Sequence, residues 1–596
     1  MSDASRGRRA GGGRPERRAA LCRIAQIGAE FVAVFALLFV ARFVCMGVLV
    51  VRMDQECHLG GIAVDLLAHG IRFPLAAYAP NEYDNGTLLQ ALLVAIGYSA
   101  IGRNALVLRL VTHAIVSTGA LAALYLVRRG LRELNLGARR ARWLGTVVLL
   151  VALALAPPLV TTMSTYGVGN HPEGTAIDVV LLAIFAAGAH HRTLARTALA
   201  WSLVGLALYA NKGTLLVLPV LAVAELATRD QRARRLAAAV GGLALGSIPE
   251  LVVVATRAGR GWEAILAKAD RGTTSFPENV LRSLGLTADH RPELLAAWAL
   301  ALAVGVALAW RARSPTLALV AGFACVHLAA LCVMARDFMD FYVLYGYPTI
   351  SVLLAVAVVA ATERAAARAP RLAPAAVACA LALVVVVHRP ATVSASGETV
   401  RRLWNDRAGA ACSWRFAEGF GRQHDDGGAP PGETRDAYVL ARCRSLSERE
   451  QAFDCVGGMA RELAWRRGEH VRGVLPAALS AAERRVYAYH YGTHRYGDDH
   501  DCADLDDPAL AAECRAAVRL ECLVFGDALT RLRARRPIGR PSCEIAEPPD
   551  DAFWGAMRRD FLARPSGAGP DMPETSGRDA LDACRATYAV CFPDGR

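Results

Sequence analysis

The chain has 596 residues, 54% of them hydrophobic, with a mean hydropathy of +0.29. That is too apolar for an ordinary soluble enzyme, and the apolar residues crowd into the first two-thirds as runs of membrane-span length. The net charge of +13 comes from arginines that cluster between apolar runs, not along one basic face, so it reads as membrane topology and excludes a nucleic-acid footprint.

The N-terminus is basic, "SRGRRAGGGRPERRAALCR", and runs into "FVAVFALLFVARFVCMGVLVV". The apolar run is too long for a signal-peptide core and no A-x-A site follows it, so it reads as a retained signal anchor with its N-terminus in the cytoplasm. The predicted spans are 30–51, 104–127, 143–162, 175–190, 195–210, 213–227, 236–256, 293–311, 315–335, 341–361 and 372–388. With the N-terminus inside, every arginine-rich junction becomes cytoplasmic: "RRGLRELNLGARRAR", "HHR", "TRDQRARR", "RAR" and "ERAAARAPR". The run "LLQALLVAIGYSAIG" (88–102) is too short to span and reads as an interfacial helix on the outer surface.

The fold class is α: a polytopic membrane helical bundle of about eleven spans, N-in and C-out, with surface helices in the first outer loop. A disulfide-bearing α-helical soluble domain follows. The divisions are a basic cytoplasmic tail (1–28), the membrane domain (29–390), a linker (391–410) and a periplasmic domain (411–596) of a bacterial inner-membrane protein. Of the 67 Lys and Arg residues only Lys212 and Lys268 are lysines, a bias that fits a GC-rich bacterial genome.

Nine of the 15 cysteines follow residue 411, in the segment assigned to an oxidising compartment, and Cys57 in the first outer loop makes the number even. Cys443 and Cys455 are twelve apart, as are Cys502 and Cys514. Gly419, Gly458, Gly492, Gly526 and Gly555 recur at intervals near 34 in helix-compatible stretches, which suggests stacked helical pairs; the alternative is one irregular helical domain. "HRYGDDHDC" (494–502) lacks zinc-like spacing and reads as a solvated loop, so no metal site is assigned.

Polar residues gather at the outer face: Asp54 and Glu56 in "VRMDQECHLGG", His171 and Glu173 in "GNHPEG", Lys212 in "YANKGT", and Arg336 and Asp337 in "MARDFMDFY". Each alone reads as a snorkelling or anchoring group. Four such segments at one level point instead to a site. Lys212 is the sharpest signal, a rare lysine on the side where basic residues are scarce.

Taken together, these segments resemble the membrane-embedded GT-C glycosyltransferases, in particular the family 39 and lipid A aminoarabinose transferase type, over roughly residues 25–390. The acidic first-loop motif, its helix and the surface helix are matched by "DQECHLGGIAVDLLAHGIRFP" and "LLQALLVAIGYSAIG". An Arg near the start of the second span is matched in "RNALVLRL". The family's G-x-x-x-x-T-K-G stretch is similar to "GLALYANKGTLLVLPVLA", and its R-Y-x-x-x-x-x-P signature to "DFMDFYVLYGYP", which contains Tyr342. Two departures stand out. Gln55 separates the acidic pair, with Glu56 aligned to the Glu position and Gln55 to the usual Asp. "APNEYDNGT" replaces a Lys-Pro-Pro stretch, where Glu82 and Asp84 can compensate.

The resemblance implies transfer of a sugar from a polyprenyl-phosphate carrier to a glycan, lipid or protein acceptor on the outer face. Asp54 and Glu56 are the catalytic candidates, since an attacking hydroxyl must lose its proton to a base. Glu82, Asp84, His171, Glu173, Lys212, Arg336, Asp337 and Tyr342 are the substrate-binding candidates. Lys212 and Arg336 are placed to hold the lipid phosphate. The expected partners are membrane lipid, the lipid-linked donor and the acceptor. No certain cofactor is implied, and a divalent metal stays open because members of the class differ. The altered acidic pair keeps a second reading in view, a non-catalytic membrane scaffold that displays the helical domain. A transporter ranks last, because Asp178 and the Pro157-Pro158 pair are its sole hints.

Overall fold

The computed structural model describes residues 13–45, 54–71, 75–78, 86–156, 160–161, 164–166, 171–188, 193–227, 231–256, 292–333, 346–388, 398–405 and 435–444, with scattered positions from 452 to 514. Among these residues the secondary structure is helical throughout, with no strand. The first helix, α1 (Gly13–Phe39), continues into a π-helical turn, Val40–Cys45. Then come α2 (Asp54–His69), α3 (Thr87–Ala100), α4 (Ala105–Glu133), α5 (Arg139–Ala154), α6 (His171–Gly188) and α7 (Leu194–Ala210). A 3₁₀ turn, Lys212–Leu216, leads to α8 (Leu218–Leu226), α9 (Arg232–Gly246) and α10 (Ile248–Thr256). The bundle closes with α11 (Pro292–Ala312), α12 (Pro315–Val333), α13 (Tyr347–Arg368) and α14 (Ala373–His388).

These helices fall where the apolar runs predict them. Among the described residues three stretches are long and apolar enough to cross a bilayer: Leu21–Cys45, Ala105–Glu133 and Tyr347–Arg368. The α9–α10 pair makes a fourth if taken as one bent span. The expected continuous span 236–256 is in fact broken at Ser247 by 53°. Pro249 supplies the reason, because its ring cannot donate to, and clashes with, the carbonyl four residues back. Around the bundle Val32, Leu199, Val240, Leu300 and Leu383 face outward and exposed, an apolar girdle suited to lipid.

The core runs through α4, α5, α6, α7, α12 and α13, where Leu126, Val148, Val179, Val204, Phe323 and Val356 are buried. At one end of α4 the Glu133 carboxylate caps α12. It accepts from the Thr316 backbone N–H (3.1 Å) and from the Ser314 and Thr316 hydroxyls (2.6 and 2.7 Å), while Arg129 pairs with it at 3.0 Å. An acidic group against exposed helix N–H groups is favourable, so this contact ties α4 to α12.

At the other end, α2 and α3 pack on each other through Leu59, Ile62, Leu88, Ala91 and Val94. The opposite face of α3 leaves Leu92, Leu93 and Ile96 exposed, so this helix is apolar on both faces. Beyond the bundle, α15 (Glu398–Asn405) seats Val400 and Leu403 against Phe39, Phe43, Leu106 and Leu110. Then α16 (Arg435–Arg444) carries Cys443, which is disulfide-bonded to Cys455; Cys514 is disulfide-bonded as well. Of the recurrent glycines, Gly458 lies in a helical stretch, while Gly419, Gly492, Gly526 and Gly555 lie outside the described residues.

Candidate active site

The site is organised by the first two turns of α4. Asn104 caps that helix, its side chain accepting from the Val107 N–H at 2.9 Å, which fixes where the following polar residues emerge. Arg109, 1% exposed, lies one turn in. Glu56 reaches it from the first turn of α2. Arg109 Nε donates to Oε1 at 3.0 Å and Nη2 to Oε2 at 2.9 Å, a two-pronged pairing that uses both carboxylate oxygens. The guanidinium also lies 4.2 Å from the centroid of the Tyr166 ring. Burial pushes the Tyr166 hydroxyl up to about 12, with Arg109 opposing and Glu56 adding to the shift, so it stays a phenol and keeps its proton to donate.

Thr112 follows Arg109 on the same face of α4. Its hydroxyl donates to Glu173 Oε1 at 2.9 Å, and Gln90 of α3 donates to the same oxygen. Glu173 sits in the first turn of α6 and is buried, and its second oxygen, Oε2, has no hydrogen-bond partner. Burial pushes the Glu173 carboxyl up to about 7, with the bonds from Thr112 and Gln90 opposing and the Glu56 charge adding a little to the shift. Two carboxylates from separate segments thus converge across one turn of α4, one saturated by a guanidinium and one with an oxygen open.

The "YANKGT" segment abuts this cluster. A Cβ on Gly174 would overlap the Asn211 side chain, so the first turn of α6 and the 3₁₀ turn sit in direct contact. Lys212 forms a buried ion pair with Glu250 of α10, and its Nζ also donates to the Leu208 carbonyl at 3.2 Å. Asp178, about two turns into α6, is fully buried.

The structure therefore unites Glu56 and Glu173 and sets the Lys212 segment beside them. Asp54 begins α2 and His171 begins α6, but their side chains lie outside the described residues, as do Glu82, Asp84, Arg336, Asp337 and Tyr342 altogether. Among the described residues no group of three His, Cys, Asp or Glu side chains is gathered as a metal site. Gln90, Thr112, Tyr166 and Glu250 join the cluster without having been singled out in the sequence. Three of them carried a usable signal: Gln90, Thr112 and Glu250 are polar interruptions of apolar runs, as Arg109 is.

No protein-family model matches the chain, and no curated protein matches its sequence. Two solved structures of the archaeal oligosaccharyltransferase of Archaeoglobus fulgidus are similar to it. One is the apo form, at 15% identity and a TM-score of 0.38; the other is a complex with an inhibitory peptide and a dolichol-phosphate, at 14% and 0.39. Each alignment covers 72% of this chain and 59% of that enzyme, so the chain spans well under two-thirds of its length. At that distance neither the reaction nor the ligands of that enzyme carry over.

Proposed function

We propose that the protein is a GT-C-like membrane glycosyltransferase. It moves a sugar from a polyprenyl-phosphate carrier to an acceptor hydroxyl at the outer face of a bacterial inner membrane. The observation that carries the reading is the buried pair of carboxylates, Glu56 and Glu173, held within one turn of α4 by a single guanidinium, an amide and a hydroxyl.

The two carboxylates are suited to different work. Arg109 occupies both oxygens of Glu56, which makes Glu56 an anchor for α2, the helix that begins at Asp54. Glu173 keeps Oε2 open while Gln90 and Thr112 fix its orientation. A carboxylate so held can take the proton of an attacking hydroxyl as the anomeric bond to the lipid phosphate breaks. Asp54 remains the second candidate base. The leaving phosphate is a stable anion and needs cations more than an acid; Arg336 and Lys212 are the candidates, and Lys212 must share its charge with Glu250. The Cys443–Cys455 bridge supports a C-terminal segment in the periplasm.

The test is sugar transfer by the purified chain in lipid with a panel of polyprenyl-phosphate sugars, counting released lipid phosphate. Glu173→Gln keeps the shape and removes the base, so turnover is expected to fall by roughly 10²–10⁴-fold with helicity unchanged. Undiminished turnover in Glu173→Gln and in Asp54→Asn alike would remove the carboxylates from the chemistry. The saturated Glu56–Arg109 pair favours one other reading, a non-catalytic scaffold for the C-terminal segment. Absence of transfer from every donor in wild type would favour that scaffold.

A further inference from the structure

Arg42 lies on the π-helical turn that ends the first span and is 2% exposed. Its Nη2 donates to the Leu153 carbonyl at 3.2 Å, but Nε and Nη1, both buried, have no hydrogen-bond partner among the described residues. Among the described residues no carboxylate pairs with it; the Tyr347 phenol and the His113 ring are titratable groups near it. An arginine keeps its proton, so this is a full positive charge held inside the bundle with donors to spare. π-helical turns of this kind recur where a helix is bent to serve a site.

The guanidinium borders a cavity of about 40 Å³. Ser164, Thr175 and Tyr347 line it together with apolar residues including Gly119 and Val179. Tyr347 donates to the Ala152 carbonyl (2.5 Å) and Ser164 to the Thr161 carbonyl (3.0 Å), so both of these hydroxyl protons are committed and Arg42 supplies the open donors. The space takes about three water-sized groups, enough for a small oxyanion and too little for a sugar ring. Thr112, Val116 and Gly119 follow one another along α4, so the cavity opens roughly one turn below the Glu173 contact.

We propose that this cavity is a binding site for a phosphate-class oxyanion, with Arg42 as its cation. A phosphate carries the charge that Arg42 lacks and offers acceptor oxygens to Nε and Nη1 at once. The phosphate can come from a lipid headgroup or from free phosphate; the recognition chemistry is the same. The inference does not depend on glycosyl transfer, because it is read by binding alone.

The test uses the full chain in maltoside micelles and phosphate-free buffer. Thermal unfolding is followed against inorganic phosphate, against dodecyl phosphate, and against dodecanol as the uncharged control. Wild type is expected to show a saturable rise in Tm with at least one phosphate and none with dodecanol. A rise with dodecyl phosphate alone identifies a lipid headgroup, and one with inorganic phosphate identifies the free ion. In Arg42→Met the unliganded Tm is expected to equal or exceed wild type, because an unpaired buried charge has gone, while the phosphate shift disappears. A merely structural arginine would give the opposite pattern, a lower unliganded Tm. Should Arg42→Met not fold, Arg42→Lys keeps the charge without the planar fork and is expected to bind about tenfold more weakly. No saturable shift in wild type, or a shift undiminished in the folded variant, overturns the proposal.

Discussion

At the scale of single residues, the candidate site shows how one guanidinium organises several segments. Arg109 is 1% exposed and holds both oxygens of Glu56, so removing either partner strands a buried charge. Arg109→Gln is expected to destabilise the protein by about 3–5 kcal/mol. The double variant Arg109→Gln/Glu56→Gln should recover much of that loss, because neither charge is then left alone. Denaturant titration of the four proteins in micelles measures the coupling; strictly additive losses would show that the pair contributes no interaction of its own. Part of this was readable from sequence. Glu56 stood out as an acid at a span end, and the segment "RNALVLRL" that holds Arg109 only through the resemblance, as the place of an arginine near the start of the second span. Gln90 and Thr112 showed only as polar interruptions of apolar runs; their meeting at one oxygen of Glu173, by pairing across 22 to 83 positions, leaves no local pattern.

At the scale of elements, the packing of α7 on α9 rests on missing side chains. A Cβ on Gly242 would overlap the Ala198 carbonyl, one on Gly246 the Ser202 carbonyl, and one on Gly205 would lie 2.5 Å from the Leu243 oxygen. Backbones that close are the means by which helices associate where lipid gives no hydrophobic drive. Gly246→Ala and Gly242→Ala are each expected to cost about 1–3 kcal/mol by forcing the helices apart. Gly241, in the same helix with nothing within 4 Å, is the matched control. Its change to Ala should stabilise by up to about 1 kcal/mol through helix propensity alone. Comparable effects at Gly241 and Gly246 would refute the close-packing account. The helices themselves were legible from apolar runs and arginine junctions, since both follow from the bilayer as solvent. The break at Ser247 was missed because hydropathy averages over Pro249; a proline inside an apolar run needed its own reading.

At the scale of the whole molecule, the chain joins an apolar bundle to a polar C-terminal segment by different forces. Leu403 and Val400 of α15 bring the chain after the last bundle helix back onto α1 and α4, close to the π-helical turn. Further on, Ser480 and Glu483 cap each other. The Ser480 N–H donates to Oε2 at 2.8 Å, the Glu483 N–H donates to the Ser480 hydroxyl at 3.3 Å, and Arg444 grips the same carboxylate at 2.7 Å. Burial alone would raise the Glu483 pKa, but the bonds from Arg444 and Ser480 outweigh it and hold it below its ordinary value. A carboxylate whose folded pKa is depressed lends stability that is fully present above its unfolded value, about 4.3, and is lost as pH falls through the folded one. Acidification is therefore expected to loosen the C-terminal segment before the bundle, whose core is apolar. Limited proteolysis with pepsin across the acid range should show cleavage after residue 405 rising first, on a protein whose helicity persists. Glu483→Gln removes the ionisation but keeps the shape, so it should be more easily cleaved at neutral pH, probed with trypsin, and flatter in its acid response. An unchanged acid profile in that variant would assign the loosening to other carboxylates.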